Sequence, residues 1–420
     1  MDFVSGDEVE FLGYDLTDYE GSTLLKQRTV KQKNKELYQL VFDKTPFYAE
    51  MGGQVGDTGY IESASGEKIA ILNTVKENNL TIHLAERLPA DGTESFDLHV
   101  DAARRAKIQA NHSATHLLHE ALREILGTHV EQKGSFVGPD YFRFDFSHFA
   151  KMTDEELLAV EKKVNALIRA NNPLWEKRDA TMDEARAMGA MALFGEKYGD
   201  VVRVVRIGDS VELCGGTHTS ATGNIGLFKI LSESAIAAGV RRIEALTGEA
   251  AEDHVHAMEE ALRSAKSFFN NTPDLAGAIQ KLVEENADAR KQLEAAAAEK
   301  AAQLADRLLA AAKDVNGIRV ATFDLSMDPG FARNMALLLQ KKAENLVLAG
   351  AWEFGGKPNL LAMYSSDLVA KGKNAGKDIR EAAKLIQGGG GGQPGLATAG
   401  GRDTTALKDA LAKLIELATA

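Results

Sequence analysis

Four side chains with metal-ligand chemistry fall into two pairs of matching spacing. His112 and His116 stand four apart in His112-Ser-Ala-Thr-His116. On a helix, both imidazoles would project from one face about one turn apart. Cys214, the sole cysteine of the chain, opens Cys214-Gly-Gly-Thr-His218, which again places two ligands four residues apart. The two glycines suit a tight, left-handed turn that aims both side chains at one point. Either pair alone is weak, since the chain has ten histidines. Together they form a Cys₁His₃ set suited to tetrahedral Zn²⁺. The bland alternative makes Cys214 a small buried hydrophobe and His218 a solvent histidine. No glutamate follows His112, so a metalloprotease HExxH site is disfavoured, and the paired cysteines of a zinc deaminase are missing. The chemistry left is positioning a substrate, or polarising water for attack on an already labile ester.

These pairs need elements to hold them. The spacing of Ile108, Leu117, Leu118, Ala121, Leu122 and Ile125 predicts a helix from about Ala102 that Gly127 ends. Before it, residues 1–100 read as short alternating runs of a small antiparallel barrel or sandwich, interrupted by a Gly/Asp-rich insert from Thr45 to Gly59 too long for a tight hairpin. Residues 101–248 read as α+β, with strands at Tyr141–Phe146 and Val201–Ile207 and a helix at Asp154–Asn171. Residues 249–314 read as two long helices broken at Asn270-Asn-Thr-Pro273. Their apolar seam, Leu275, Ile279, Leu282, Ala289 and Leu293, is coiled-coil-like but short, so a solvated helical hairpin is preferred to an intermolecular coiled coil. Residues 315–420 read as an α/β domain with strands at Ile318–Phe323, Asn345–Ala351 and Asn359–Met363 and a closing helix at Thr404–Leu417. The fold class expected is α+β multidomain.

Composition narrows the class. Hydrophobic residues make up 44% and charged residues 26% of the 420, as in ordinary globular proteins. The single cysteine rules out an intrachain disulfide and suggests a cytosolic setting. Asp2, Asp7, Glu8 and Glu10 stand where a signal peptide would be basic, and no apolar run reaches the roughly 20 residues of a membrane helix. The expectation is a cytoplasmic chain without membrane contact. A net charge of −12 argues against general nucleic-acid affinity, so any RNA contact must be local. Two places offer one. Arg241 and Arg242 present planar cationic forks suited to phosphates or a base, with an ion pair to Glu244 as the bland alternative. Lys371, Lys373, Lys377, Arg380 and Lys384 approach a run of five glycines, and Lys377, Arg380 and Lys384 share one helical face. Gly389, Gly390 and Gly391 would let backbone amides approach a phosphate closely, unless the run is simply a flexible loop.

Taken together, Thr45-Pro-Phe-Tyr-Ala-Glu-Met-Gly-Gly-Gln-Val-Gly-Asp-Thr-Gly59, the HxxxH pair, Cys214-Gly-Gly-Thr-His218 and Gly239-Val-Arg-Arg-Ile-Glu244 resemble the editing region of alanyl-tRNA synthetases. The glycine run with Pro394 and Gly400-Gly401 resembles that family's C-terminal, DHHA1-type domain. Met51 departs from the small residue usual at its place in the loop. The resemblance implies hydrolysis of mischarged alanine tRNA, releasing serine or glycine, with Zn²⁺ on His112, His116, Cys214 and His218. It further implies a pocket role for Thr115, whose hydroxyl would meet that of serine, and for Gln132 and Ser135, which would bind the ester or orient water. Partners implied are alanine tRNA, through Arg241, Arg242 and the C-terminal basic and glycine residues, and a second copy through the C-terminal domain. The family's ATP-dependent class II domain would lie N-terminal to these motifs, so aminoacylation is not expected of this polypeptide. Other readings stay open: a free-standing editing protein of the same superfamily, a tRNA-binding scaffold, or a DHH-type phosphoesterase, whose nearest acidic string is Asp253-His-Val-His256.

Overall fold

The computed structural model describes residues 9–32, 35–93, 95–191 and 199–420. They divide into two compact units, Met1–Ala265 and Lys266–Ala420. The first begins with a closed barrel whose strands run, in spatial order, Asp18–Gln32, Lys35–Phe42, Leu80–Ala85, Lys68–Glu77, Gly59–Ser63 and Ser95–Val100, with antiparallel neighbours throughout. Alternating residues such as Leu40, Phe42, Ile61, Ile69, Ile71, Phe96 and Leu98 fill its interior, and closure leaves no sheet edge to protect.

Helix α1 (Ala102–Leu126) follows. The Asp101 carboxylate accepts the Arg104 N–H at its start, and Gly127, at φ 117°, ends it. Its apolar side packs on Phe142, Phe144 and Phe146. These belong to a four-stranded sheet ordered Phe228–Ala237, Val240–Thr247, Phe142–Ser147, Gln132–Val137. Helix α2 (Asp154–Arg169) is set by a Thr153–Glu156 capping box, and α3 (Met182–Ala187) packs on a smaller sheet of Leu174–Thr181, Val201–Ile207 and Ser210–Leu213. One fully buried ion pair pins α1 to the insert after the barrel's second strand. Arg105 donates to both Asp57 oxygens, to the Gly13 carbonyl (2.7 Å) and to the Pro46 carbonyl (2.8 Å). With each guanidinium nitrogen and both carboxylate oxygens engaged, the desolvated charges are tolerated.

Helices α4 (Gly248–Ser267) and α5 (Leu275–Ala310) occupy the stretch where two helices broken at Asn270–Pro273 are expected. Ile279, Leu282 and Leu293, in the apolar seam of α5, are exposed in the single chain. Farther along, Ala301 and Ala305 pack on α6 (Pro329–Lys342). The second unit holds a six-stranded sheet, Lys313–Val315, Ile318–Phe323, Leu346–Phe354, Lys357–Tyr364, Leu396–Gly400, Gly389–Gln393. Helices α7 (Ser366–Ala370), α8 (Ala375–Ala383) and α9 (Leu407–Thr419) contribute to one of its two cores. The flexible-loop alternative for the glycines therefore fails, because they form the sheet's outermost strand. A Cβ on Gly390 or Gly392 would run into the backbone of Thr398 to Ala399 or Leu396 to Ala397, so glycine there permits close strand approach. Among the described residues no helix is long and apolar enough to cross a membrane.

Candidate metal centre

The residues from Ala110 to His119 are all buried, so α1 is covered on every side. Its apolar face meets the sheet. Its polar face, which carries His112, Ser113, Thr115, His116 and His119, meets two loops: the insert around Gln54 and the turn Cys214–His218. There the ligand atoms of His112, His116, Cys214 and His218 all lie within 4.8 Å of one another. The Cys214 sulfur is 3.5 Å from His112 Nε2 and 3.3 Å from His218 Nε2. Zinc–nitrogen and zinc–sulfur bonds of about 2.0 and 2.3 Å in tetrahedral geometry require N···S edges of about 3.5 Å. The donor set therefore fits Zn²⁺. Burial drives the His112 pKa down to about 3 and lowers those of His116 and His218; repulsion from neighbouring histidines adds to this on His112 and His218, while on His116 the Glu212 carboxylate opposes burial without overcoming it. All three rings are neutral and available as ligands at neutral pH.

A second layer orients the ligands. Gln54 Oε1 accepts His112 Nδ1–H (2.7 Å) and the Thr217 N–H (3.0 Å), while its amide donates to Thr217 Oγ1 (2.9 Å). This fixes the tautomer that leaves His112 Nε2 free. His218 Nδ1 faces Ser113 Oγ at 3.2 Å. His116 Nδ1 lies 3.2 Å from one oxygen of Glu212, without hydrogen-bond alignment, and His119 Nδ1 bonds the other at 2.9 Å. Burial opposes charge on Glu212, yet His116 and His119 outweigh it and hold the carboxyl below its usual range. The Cys214 loop is clamped from outside. Arg203, paired with Glu176, donates to the Cys214 and Gly216 carbonyls (3.0 and 2.6 Å), and Tyr14 donates to the Gly215 carbonyl (2.8 Å) beneath the Arg203 guanidinium.

The loop glycines work differently from the expectation. Neither has a left-handed φ. Gly216 instead lies so close to the His112 ring that a Cβ would overlap it, and a Cβ on Gly215 would sit 3.0 Å from Met51 Cε. Close approach, not turn handedness, requires them.

His112, His116 and Cys214 line a cavity of about 300 Å³ together with Thr115, Gln132, Ser135, Tyr48, Met51 and Gly52, whereas His218 is not part of its lining. Gln132 and Ser135 are three apart in one strand and would ordinarily face opposite sides. A bulge at Lys133 restores the phase, pairing Gln132 with Phe146 and Ser135 with Phe144, so both share the face of those core rings. Arg241 and Arg242 do not line the cavity. They pair with Glu233 and Asp145 rather than Glu244. Lys377, Arg380 and Lys384 are exposed along α8 and its C-cap in the second unit, with Lys384 paired to Glu381 and Arg380 beside Gly391. Among the described residues no other group of three or more metal-ligating side chains converges, and His256 of the Asp253–His256 string is exposed, near Glu259. Gln54, Ser113, His119, Arg203 and Glu212 had not been singled out. Gln54 alone carried a hint, from its place in the glycine-rich insert.

The region around the Cys214 loop is similar to the additional domain that some aminoacyl-tRNA synthetases carry. The family model described as threonyl and alanyl tRNA synthetase second additional domain matches residues 202–244, which include the Cys214 loop. A class II (A) tRNA synthetase model matches residues 4–104, and the DHHA1 domain model matches 316–420. The alanine–tRNA ligases of Bacteroides fragilis and Bacteroides thetaiotaomicron are 54% and 53% identical over 97% of this chain and 47% of their own length. The C-Ala domain of Aquifex aeolicus alanyl-tRNA synthetase is 28% identical, covering 26% of this chain and 98% of that one, at a TM-score of 0.25. The chain is thus related along nearly its whole length to the alanyl-tRNA synthetases, and it spans about half the length of the curated relatives it matches.

Proposed function

We propose that the first unit hydrolyses the ester of serine or glycine mischarged onto alanine tRNA, and that the second unit binds the same tRNA and joins two copies of the chain. The observation that carries the editing reading is the convergence of four neutral or soft ligand atoms, three of them on residues that line a cavity with Thr115, Gln132 and Ser135. His112, His116, Cys214 and His218 would hold Zn²⁺, which when bound supplies Lewis acidity toward the ester or toward water. The protein's own residues do the rest. Thr115 Oγ1 donates to the His112 carbonyl at 2.7 Å, so its lone pairs are left to accept a hydrogen bond from a serine hydroxyl. Among the described residues Ser135 Oγ reaches only the Gly52 carbonyl, at a long 3.4 Å, and together with the Gln132 amide it can hold the ester or align water. Water adds to the acyl carbon, the bond to the ribose oxygen breaks, and a proton passes to that oxygen. A site that hydrogen-bonds a hydroxyl discriminates against the analogue lacking it, which spares alanine. The test is release of radiolabelled serine from seryl-tRNA of the alanine acceptor, with Cys214→Ala as control. Release by the wild type alone is expected; equality of both with the buffer blank would overturn the reading.

A further inference from the structure

Beyond the cavity, the strand pair that supplies Gln132 and Ser135 ends in a set of rings that the site does not use. Phe144 and Phe146 stack at 6.3 Å, and Phe146 stacks on His148 at 6.4 Å. His148, itself buried, lies 5.3 Å from His129 and 4.8 Å from Phe149, and those two rings are 5.7 Å apart, so the three close on one another as a cluster. His129 Nε2 and His148 Nδ1 are hydrogen-bonded at 3.0 Å. The ladder thus runs from the core into solvent, where His129 is exposed and Phe149 is 83% exposed. An open ring held by a fixed base loses little freedom when another ring stacks on it. We propose that His129, His148 and Phe149 form a stacking platform for an unpaired nucleobase of the RNA strand whose end enters the cavity.

Position selects this occupant. Gln132 lies opposite Phe146, and Phe146 is the ring that supports His148. His129 is three residues from Gln132, at most about 11 Å along the chain, which is within reach of the base adjoining the terminal nucleoside. Burial and the neighbouring His129 lower the His148 pKa, so its ring is neutral at physiological pH and adds no charge requirement. Stacking reads a π-face and not an edge, so the platform would position the strand without selecting its sequence.

The inference rests on the cavity taking an ester at an RNA end, and binding can be separated from hydrolysis. A short single-stranded RNA ending in CCA, with a fluorescent cytosine analogue at the penultimate position, is titrated into the full chain. Quenching on binding is expected for the wild type. Phe149→Ala should abolish the quenching and weaken binding about ten-fold, while Phe149→Trp should keep both. Unchanged quenching and affinity in Phe149→Ala, or no quenching in the wild type, would overturn the platform. So would an effect of Phe149→Ala confined to self-association on size exclusion, which would make the ring a protein contact. Zinc-dependent serine release is read separately: quenching without release would sink the editing reading and leave the platform standing.

Discussion

The two regions expected to carry function are built on opposite plans. In the first unit the chemistry sits on side chains, all tied inside the fold: His112 by Gln54, His218 by Ser113, and His116 facing Glu212. In the second unit, Lys377, Arg380 and Lys384 are exposed, and the glycines offer backbone along a free sheet edge. The difference teaches what each can do. Preorganised buried ligands meet one ion in one geometry, whereas exposed cations and an edge strand suit a large charged surface met at many weak points. Damage should therefore be steep and local in the first region and shallow and additive in the second.

The steepest expected loss comes from the buried pin beneath the site. Arg105→Met leaves Asp57 charged and desolvated, at a cost of about 3–5 kcal/mol, read as a lowered urea midpoint for the first unit. A loss under about 1 kcal/mol would show that the pin is not what holds α1 to the Thr45–Gly59 insert. Next, Cys214→Ala removes one of four ligands, and zinc affinity measured by competition with a chelator should fall more than about 100-fold. Zinc bound equally by wild type and variant would place the ion elsewhere. Gln54→Ala keeps every ligand but frees the His112 tautomer, so a loss of about ten-fold is expected. A loss as large as that of Cys214→Ala would mean that Gln54 does more than orient the ring.

What could be read before folding follows the same divide. The helix, its end at Gly127 and the ligand pairs were legible because they are local: a 3.6-residue period, a cap and two four-residue spacings. Gln54 and Glu212 were not, because the first meets His112 from 58 positions away and the second projects from an otherwise ordinary short strand. Nor does residue type announce the Lys133 bulge, although it decides that Gln132 and Ser135 face one way. Nor could spacing alone show that two loops close over the polar face of α1 and bury it. The glycine run stayed ambiguous, since composition alone does not distinguish a mobile loop from a strand that needs the absence of Cβ to pack.

The shallowest effect tests the second region. Arg380 lies beside Gly391, its guanidinium 3.5 Å from where a Cβ on that glycine would be, so it flanks the exposed edge and is the cation best placed to meet a phosphate there. If the second unit binds tRNA by backbone contacts, Arg380→Ala should weaken binding only a few-fold at moderate salt and reduce the slope of log affinity against log salt by about one. Lys377→Ala should do the same, and the two should add, because each cation releases its own counterions. Lys384 is held by Glu381, so Lys384→Ala should change the slope less than either. An unchanged slope in the Arg380 variant would remove this edge from the RNA contact. A loss of two orders of magnitude from that single change would instead give the region the steep, local character of the metal centre, and the contrast between the two plans would fail.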